Sequence, residues 1–143
     1  MVGIMTIKEY HYLNDEAKKI RFEVFIKEQG FTQELDEIDQ RAIHLVMFDQ
    51  EEAISTCRIY YNNVQDSYAV GRLAVLKQWR GKSIGARLLN AAEECIRRKG
   101  GKSIILSAQL PVSGFYEKQG YSKQGEVYYD EDCPHVWMKK LLS

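Results

Sequence analysis

The chain has 143 residues, which fits one domain, and we expect a single domain over residues 1–143. Its 20 basic and 20 acidic residues cancel, which argues against a nucleic-acid or membrane-surface binder, because such proteins carry a basic excess. The three cysteines are widely spaced and form neither a disulfide framework nor, with the three histidines, a zinc pattern. We therefore expect reduced thiols, a cytoplasmic location and no metal site.

Membrane attachment is also not expected from the sequence. The first ten residues lack the apolar core of a signal peptide, and no run reaches the about 20 apolar residues of a membrane span. No repeat or linker-like segment divides the chain.

The first half of the chain predicts one helix among four strands. A strand over 4–10 precedes a helix that Asn14 can cap and that Gly30 can end, with Ala17, Ile20 and Val24 on its apolar face. Residues 31–41 are acidic and aperiodic, and they predict a loop. Three β-rich runs follow, over 43–48, 53–61 and 68–76.

The second half predicts the longest helix of the chain. Residues 83–99 place Ile84, Leu88 and Cys95 on one side, and Gly100 and Gly101 follow. A strand over 103–108, a helix over 112–119 and strands over 121–128 and 135–142 complete the order. The predicted fold class is α/β (α+β), a mixed, strongly twisted sheet of about seven strands with three to four helices and a parallel crossover.

An anion site is predicted at the start of the long helix. The run Arg80-Gly81-Lys82-Ser83-Ile84-Gly85 stands where a strand turns into a helix, whose first unpaired N–H groups attract phosphate. A capped helix with solvated side chains is the plain alternative. A Walker A loop is disfavoured because Leu76 stands where its first glycine belongs, and no G-x-G-x-x-G pattern occurs.

Three motifs resemble the GNAT superfamily of N-acetyltransferases. Arg80-x-x-Ser83-x-Gly85 resembles its R/Q-x-x-G-x-G/A pyrophosphate loop, although Ser83 stands where glycine is usual. The run over 70–75 is similar to its fourth strand, and the run over 115–121 to its F-Y-E-K-x-G-F/Y motif. The Ser83 amide can still bind phosphate, provided that the position does not demand a positive φ.

The resemblance implies acetyl-CoA as acyl donor, held in a gap between strands four and five. The cofactor-binding residues that it implies are Leu73, Ala74, Val75, Arg80, Gly81, Lys82, Ser83, Ile84, Gly85, Ala86, Gln109 and Tyr116. It also implies Tyr116 as the general acid that protonates the leaving thiolate, with packing in the core as the alternative. The backbone N–H of Val75 would polarise the thioester carbonyl.

The general base remains open between several residues. We name His44 as a candidate because histidine titrates near neutral pH, with Glu28, Asp39, Glu126, His135 and a water chain as alternatives. The acidic run over 34–39 is either a substrate-facing element for a cationic amine or a solvated loop. The charged run over 93–98 predicts a solvated helix face.

The predicted function is therefore N-acetyl transfer to a primary amine of a small molecule or peptide, in a ternary complex. Arg21-x-x-Val24-Phe25, Asp39 and Arg58 faintly resemble acyl-homoserine-lactone synthases, which are longer enzymes. A CoA-binding regulatory protein without turnover is the non-enzymatic alternative. Homodimers are common in the superfamily, and no motif names the acceptor.

Overall fold

A computed structural model describes residues 4–143, so residues 1–3 of the predicted domain lie outside the described range. The strands are β1 Met5–Tyr10, β2 Ile43–Asp49, β3 Glu52–Asn62, β4 Ser67–Val75, β5 Ser103–Gln109, β6 Ser122–Asp130 and β7 Cys133–Leu141. The α-helices are α1 Asp15–Arg21, α2 Ile84–Arg98 and α3 Ser113–Lys118. Within residues 4–143, no helix is both long and apolar enough to cross a membrane.

The strands form one mixed sheet of seven, in the order β1-β2-β3-β4-β5-β7-β6, which confirms the predicted fold class. Among the strands of the described residues, β4 and β5 are the only neighbours that pair in parallel, and α2 makes the crossover connection between them. Their pairing is limited to Tyr68 with Ile104 and Ala69 with Ile105. Beyond these pairs the two strands separate and leave a gap in the sheet.

A bulge in β4 accompanies the gap. Thr56 pairs with Ala74 and Arg58 with Gly71, so Arg72 and Leu73 together face the single residue Cys57 of β3. Arg72 has a φ of 53°, in the left-handed region. A bulge bends its strand, and this bend lies at the point where β4 leaves β5.

Helices cover both faces of the sheet. The apolar side of α2, including Leu88, Ala92 and Ile96, packs on one face against strand residues such as Ile104 and Met138. Ala17 and Ile20 of α1 pack on the other face against β2 and β4. Strand β2, second from one edge of the sheet, is buried almost throughout for this reason.

The predicted helix over 14–30 is irregular in its second half. After α1, residues Phe22–Glu28 form a π-helical segment, in which the Gln29 N–H bonds to the Val24 carbonyl at 3.1 Å. Asn14 holds the cap position, and its carbonyl accepts the Lys18 N–H at 3.1 Å. Its side chain instead donates to Glu16 at 2.9 Å, so the expected side-chain cap is wrong.

The acidic segment over 34–39 is held in ion pairs, and its second half lies in a 3-10 turn over Glu37–Gln40. Arg21 donates to both Asp39 carboxylate oxygens at 2.8 and 3.0 Å and also to Glu34. Arg58 donates to both oxygens of Asp36 at 2.6 and 3.0 Å. Neither alternative, a substrate-facing element or a solvated loop, describes Asp36 and Asp39, because arginines distant in sequence pair with their carboxylates.

The sequence predicts Glu93 on a solvated helix face, but its side chain is only 3% exposed. Its carboxylate accepts hydrogen bonds from the Tyr121 hydroxyl at 2.8 Å and from the Lys140 amine at 3.1 Å. The expectation is wrong because a strand and a turn far along the chain cover this side of α2.

Candidate active site

The gap between β4 and β5 opens into a cavity of about 720 Å³. Its walls come from both strands, the N-terminal end of α2, helix α3 and the segment after α1. Most of the predicted cofactor-binding residues line it: Leu73, Ala74, Val75, Arg80, Gly81, Ser83, Ile84, Gly85, Ala86, Gln109 and Tyr116. Lys82 and His44 do not.

Six consecutive backbone amides, from Gly81 to Ala86, bond to no backbone acceptor in the described part of the chain. The first bond at this end of α2 joins the Arg87 N–H to the Ser83 carbonyl at 3.1 Å. A helix start with free donors and the positive end of the dipole favours an anion. The loop therefore fits a pyrophosphate.

Backbone conformation explains the small residues of this loop. Gly81 has a φ of 77° and Ser83 a φ of 61°, both in the left-handed region. The condition set for phosphate binding by the Ser83 amide, that the position does not demand a positive φ, is therefore not met. Ser83 adopts this φ at a cost in strain that glycine would avoid, and its N–H still bonds to no backbone acceptor among the described residues. A Cβ on Gly85 would lie 3.4 Å from the Phe115 ring, so the glycine lets α3 approach α2 closely.

Arg80 lies at the cavity wall, already paired with protein groups. Its Nη1 and Nη2 donate to the two carboxylate oxygens of Glu28 at 2.6 and 2.7 Å, and its Nε donates to the Val75 carbonyl at 3.0 Å. The hydrogen bonds from Arg80 lower the pKa of Glu28. Lys82 instead places its amine 5.3 Å from the centre of the Trp79 ring.

Tyr116 lines the cavity from α3, between the rings of Phe115 and Tyr121. Burial, and to a lesser extent the neighbouring Cys57, raise its pKa above the usual phenol range. No hydrogen bond engages its hydroxyl within residues 4–143. Tyr116 therefore holds its proton at neutral pH and has a free donor at the cavity.

The candidate bases are in contrasting environments. His44 is 1% exposed, its Nε2 lies 3.0 Å from the Asp39 carbonyl, and burial lowers its pKa. Burial opposes ionisation of Asp39, but Arg21 and Arg58 outweigh it and lower the pKa to about 2. Glu126 is exposed on β6. Only His135, of the histidine candidates, lines the cavity.

Several contacts at or beside the cavity are not predicted from the sequence. Gln109 donates to the side chain of Gln29 at 2.8 Å. The Glu131 carboxylate, in the β6–β7 turn, accepts from the backbone of Thr32 and Gln33 at 2.9 and 3.0 Å. These partners are 80 or more residues apart, so no local pattern announces them.

Comparison with known proteins supports the same family. The family model described as Acetyltransferase (GNAT) domain matches residues 10–142. YjcF, an uncharacterised N-acetyltransferase of Bacillus subtilis strain 168, is 33% identical over 87% of this chain and 90% of its own length.

Solved structures share the fold. A crystal structure from Lactobacillus plantarum, provisionally named as an N-acetyltransferase, has a TM-score of 0.89 and 28% identity over 99% of this chain and all of its own. An aminoglycoside 6′-N-acetyltransferase complexed with coenzyme A has a TM-score of 0.73 and 21% identity, covering 95% of this chain and 96% of that one. With the family model matching nearly the whole length, the chain belongs to the GNAT acetyltransferase family.

Proposed function

We propose that the protein is an N-acetyltransferase that moves an acetyl group from acetyl-CoA to a primary amine within a ternary complex. The observation that carries this proposal is the row of unpaired amides from Gly81 to Ala86 at the wall of the gap between β4 and β5. Six donors at one helix start suit a diphosphate, and the adjoining gap suits an extended arm. The complex of the aminoglycoside enzyme with coenzyme A supports the choice of ligand.

Different residues of the cavity bind different parts of acetyl-CoA. The amides of 81–86 hold the pyrophosphate, while Leu73 and Val75 offer backbone groups of β4 to the pantetheine arm. Gln109 contacts the donor from β5. Acetyl-CoA supplies the acyl group as a thioester, which an amine can attack without a metal.

Tyr116 acts as the general acid. Its hydroxyl keeps its proton at neutral pH because burial raises its pKa, and it donates that proton to the thiolate as the carbon–sulfur bond breaks. The backbone N–H of Val75, on the β4 wall of the gap, polarises the thioester carbonyl. Transfer thus relies on positioning and on two donors of this chain.

Replacement of Tyr116 by phenylalanine tests the proposal. Thiol release from acetyl-CoA is first measured against a panel of amines, to find an acceptor. Tyr116→Phe should then lower kcat about tenfold or more, because the proton donor is lost, while the Kd for acetyl-CoA changes less than about twofold. Tyr129→Phe, at a side chain 70% exposed, is the matched control.

Two results would contradict the proposal. An unchanged kcat in Tyr116→Phe would remove Tyr116 from the chemistry. Binding of acetyl-CoA without thiol release to any amine would instead favour the regulatory, non-catalytic alternative. The residues behind the acyl-homoserine-lactone alternative, Arg21, Asp39 and Arg58, are joined to one another by buried ion pairs.

A further inference from the structure

We propose that His135 is the general base, and that the acceptor amine enters from the face of the sheet opposite Tyr116. This inference rests on the proposed function and names the catalytic group that the sequence left open. It is carried by the position of His135, the hydrogen bond that fixes its tautomer, and the alternation of β7.

The imidazole of His135 is oriented by the backbone. Its Nδ1 lies 2.9 Å from the Cys133 carbonyl oxygen, which only accepts, so Nδ1 carries the hydrogen. In the neutral ring, Nε2 then has a free lone pair. Nε2 has no hydrogen-bond partner among the described residues and is not sealed inside the protein, and His135 lines the cavity.

Strand alternation places His135 and Tyr116 on different faces of the sheet. Val136 and Met138 of β7 point into the core under α2, and Tyr116 packs against that same core. Side chains alternate along a strand, so His135 and Trp137 lie on the opposite face. Because the gap between β4 and β5 passes through the sheet, one cavity touches both faces, and both residues line it.

Aromatic contacts hold the ring of His135 in place. Tyr128, its partner on β6, stacks on it with 5.8 Å between ring centroids and 27° between ring planes. Tyr128 is stacked in turn on Trp137 at 6.4 Å, and its hydroxyl bonds to Ser107 of β5. Such a supported ring keeps Nε2 aimed at one place, which proton transfer requires.

The groups around this end of the cavity suit an amine. Asp130 lines the cavity near His135, and no ion pair engages its carboxylate within residues 4–143. Glu34 and Arg72, which also line it, are paired with each other at 3.4 Å and with Arg21 and Asp36 respectively. Asp130 is therefore the carboxylate left to attract a cationic acceptor before it loses a proton.

His135 and Tyr116 together account for the proton transfers of the reaction. As the nitrogen of a neutral amine bonds to the acetyl carbon, His135 Nε2 takes one of its protons. The carbon–sulfur bond then breaks with its electrons on sulfur, and Tyr116 gives that thiolate its hydroxyl proton. The proton on His135 returns through solvent to the Tyr116 phenolate, so an amide and a free thiol are the only products.

His135→Asn tests the assignment, because the amide side chain can still donate to the Cys133 carbonyl. We expect kcat to fall about 100-fold, with the Kd for acetyl-CoA changed less than about twofold. Added imidazole should restore part of the rate in His135→Ala, where it has room to replace the ring. His11→Asn, at an exposed histidine outside the cavity, is the matched control.

Each outcome separates this inference from the proposed function. A near wild-type kcat in His135→Asn, or an inactive His135→Ala that imidazole does not rescue, overturns His135 while Tyr116→Phe still tests the acid. If the wild-type protein releases no thiol with any amine, the proposed function falls first. Should His135→Asn lower the melting temperature sharply, His135→Gln is measured in its place, with the same expected loss of kcat.

Discussion

Single side chains determine how the mouth of the cavity is charged. All three nitrogens of the Arg80 guanidinium already donate to protein acceptors. Nη1 and Nη2 donate to Glu28, and Nε donates to the Val75 carbonyl. A pyrophosphate on the adjoining amides would compete with Glu28 for this cation, since both present paired oxygens. We therefore expect the Glu28 carboxylate to compete with the pyrophosphate of the donor for Arg80.

Removal of that charge should tighten donor binding. In Glu28→Gln, Arg80 loses its strongest partner, and we expect the Kd for coenzyme A to fall about threefold to tenfold, measured by calorimetry at low salt. Glu23→Gln removes the same charge from a neighbouring turn, where Glu23 pairs with Lys27, and should change the Kd little. Weaker binding in Glu28→Gln would mean that Glu28 orients Arg80 and does not compete.

A second prediction concerns the left-handed backbone conformation of Ser83. Its φ of 61° costs a side-chain-bearing residue about 1–2 kcal/mol, and glycine loses part of this gain through its freer unfolded chain. Ser83→Gly should therefore raise the free energy of unfolding by about 0.5–1 kcal/mol in a urea titration. Ser83→Ala, which keeps the strain, is the control, and a destabilised Ser83→Gly would contradict the account.

At the scale of elements, buried ion pairs join α1 to the sheet. Arg21 of α1, Arg58 of β3 and Arg72 of β4 all donate to the segment that carries Glu34, Asp36 and Asp39. Arg21 is 1% exposed and Arg58 3% exposed, so their charges depend on these partners. The network fixes the segment that forms one wall of the cavity.

This network predicts acid sensitivity. The folded pKa of Asp39 is about 2, below its ordinary 3.8, so the folded state holds fewer protons. The resulting stability, about 2 kcal/mol, is present above pH 4 and lost as the pH falls from about 4 to about 2. Urea titrations across this range measure it.

Asp39→Asn checks which group is responsible. The variant should be less stable at pH 7 by about 3–5 kcal/mol, since Arg21 and Arg58 lose a partner, and its loss of stability below pH 4 should be smaller. Asp15→Asn, at an exposed residue, is the control. An equal loss below pH 4 in Asp39→Asn and the wild type would contradict the assignment.

Local sequence patterns predict the helices and strands well, but they do not predict contacts between residues that are far apart in the sequence. The strands and α2 agree with the predicted ranges within one or two residues, because apolar periodicity and turn residues mark them. The π-helical segment after α1 has no such mark. Asp36 and Asp39 are paired with arginines 18 to 36 residues away in the sequence. The acidic run alone does not predict these ion pairs.

At the scale of the whole molecule, topology makes the site. The single parallel pair, β4 and β5, meets only at its first residues, and the bulge at Arg72 turns β4 away. The resulting gap brings the loop over 81–86, apart from Lys82, to the same cavity as Tyr116 and His135, from three separate stretches of chain. The sequence motifs predict the loop and Tyr116. The sequence leaves several candidate bases, and the position of His135 at the cavity favours it among them.

Amide NMR tests directly whether a diphosphate binds the backbone amides of residues 81–86. Titration of the ¹⁵N-labelled protein with coenzyme A should shift the N–H resonances of Gly81 to Ala86 most strongly. Pantetheine, which lacks the diphosphate, should leave them nearly unchanged while it shifts resonances of β4. Strong shifts confined to another surface, or none with coenzyme A, would contradict the account.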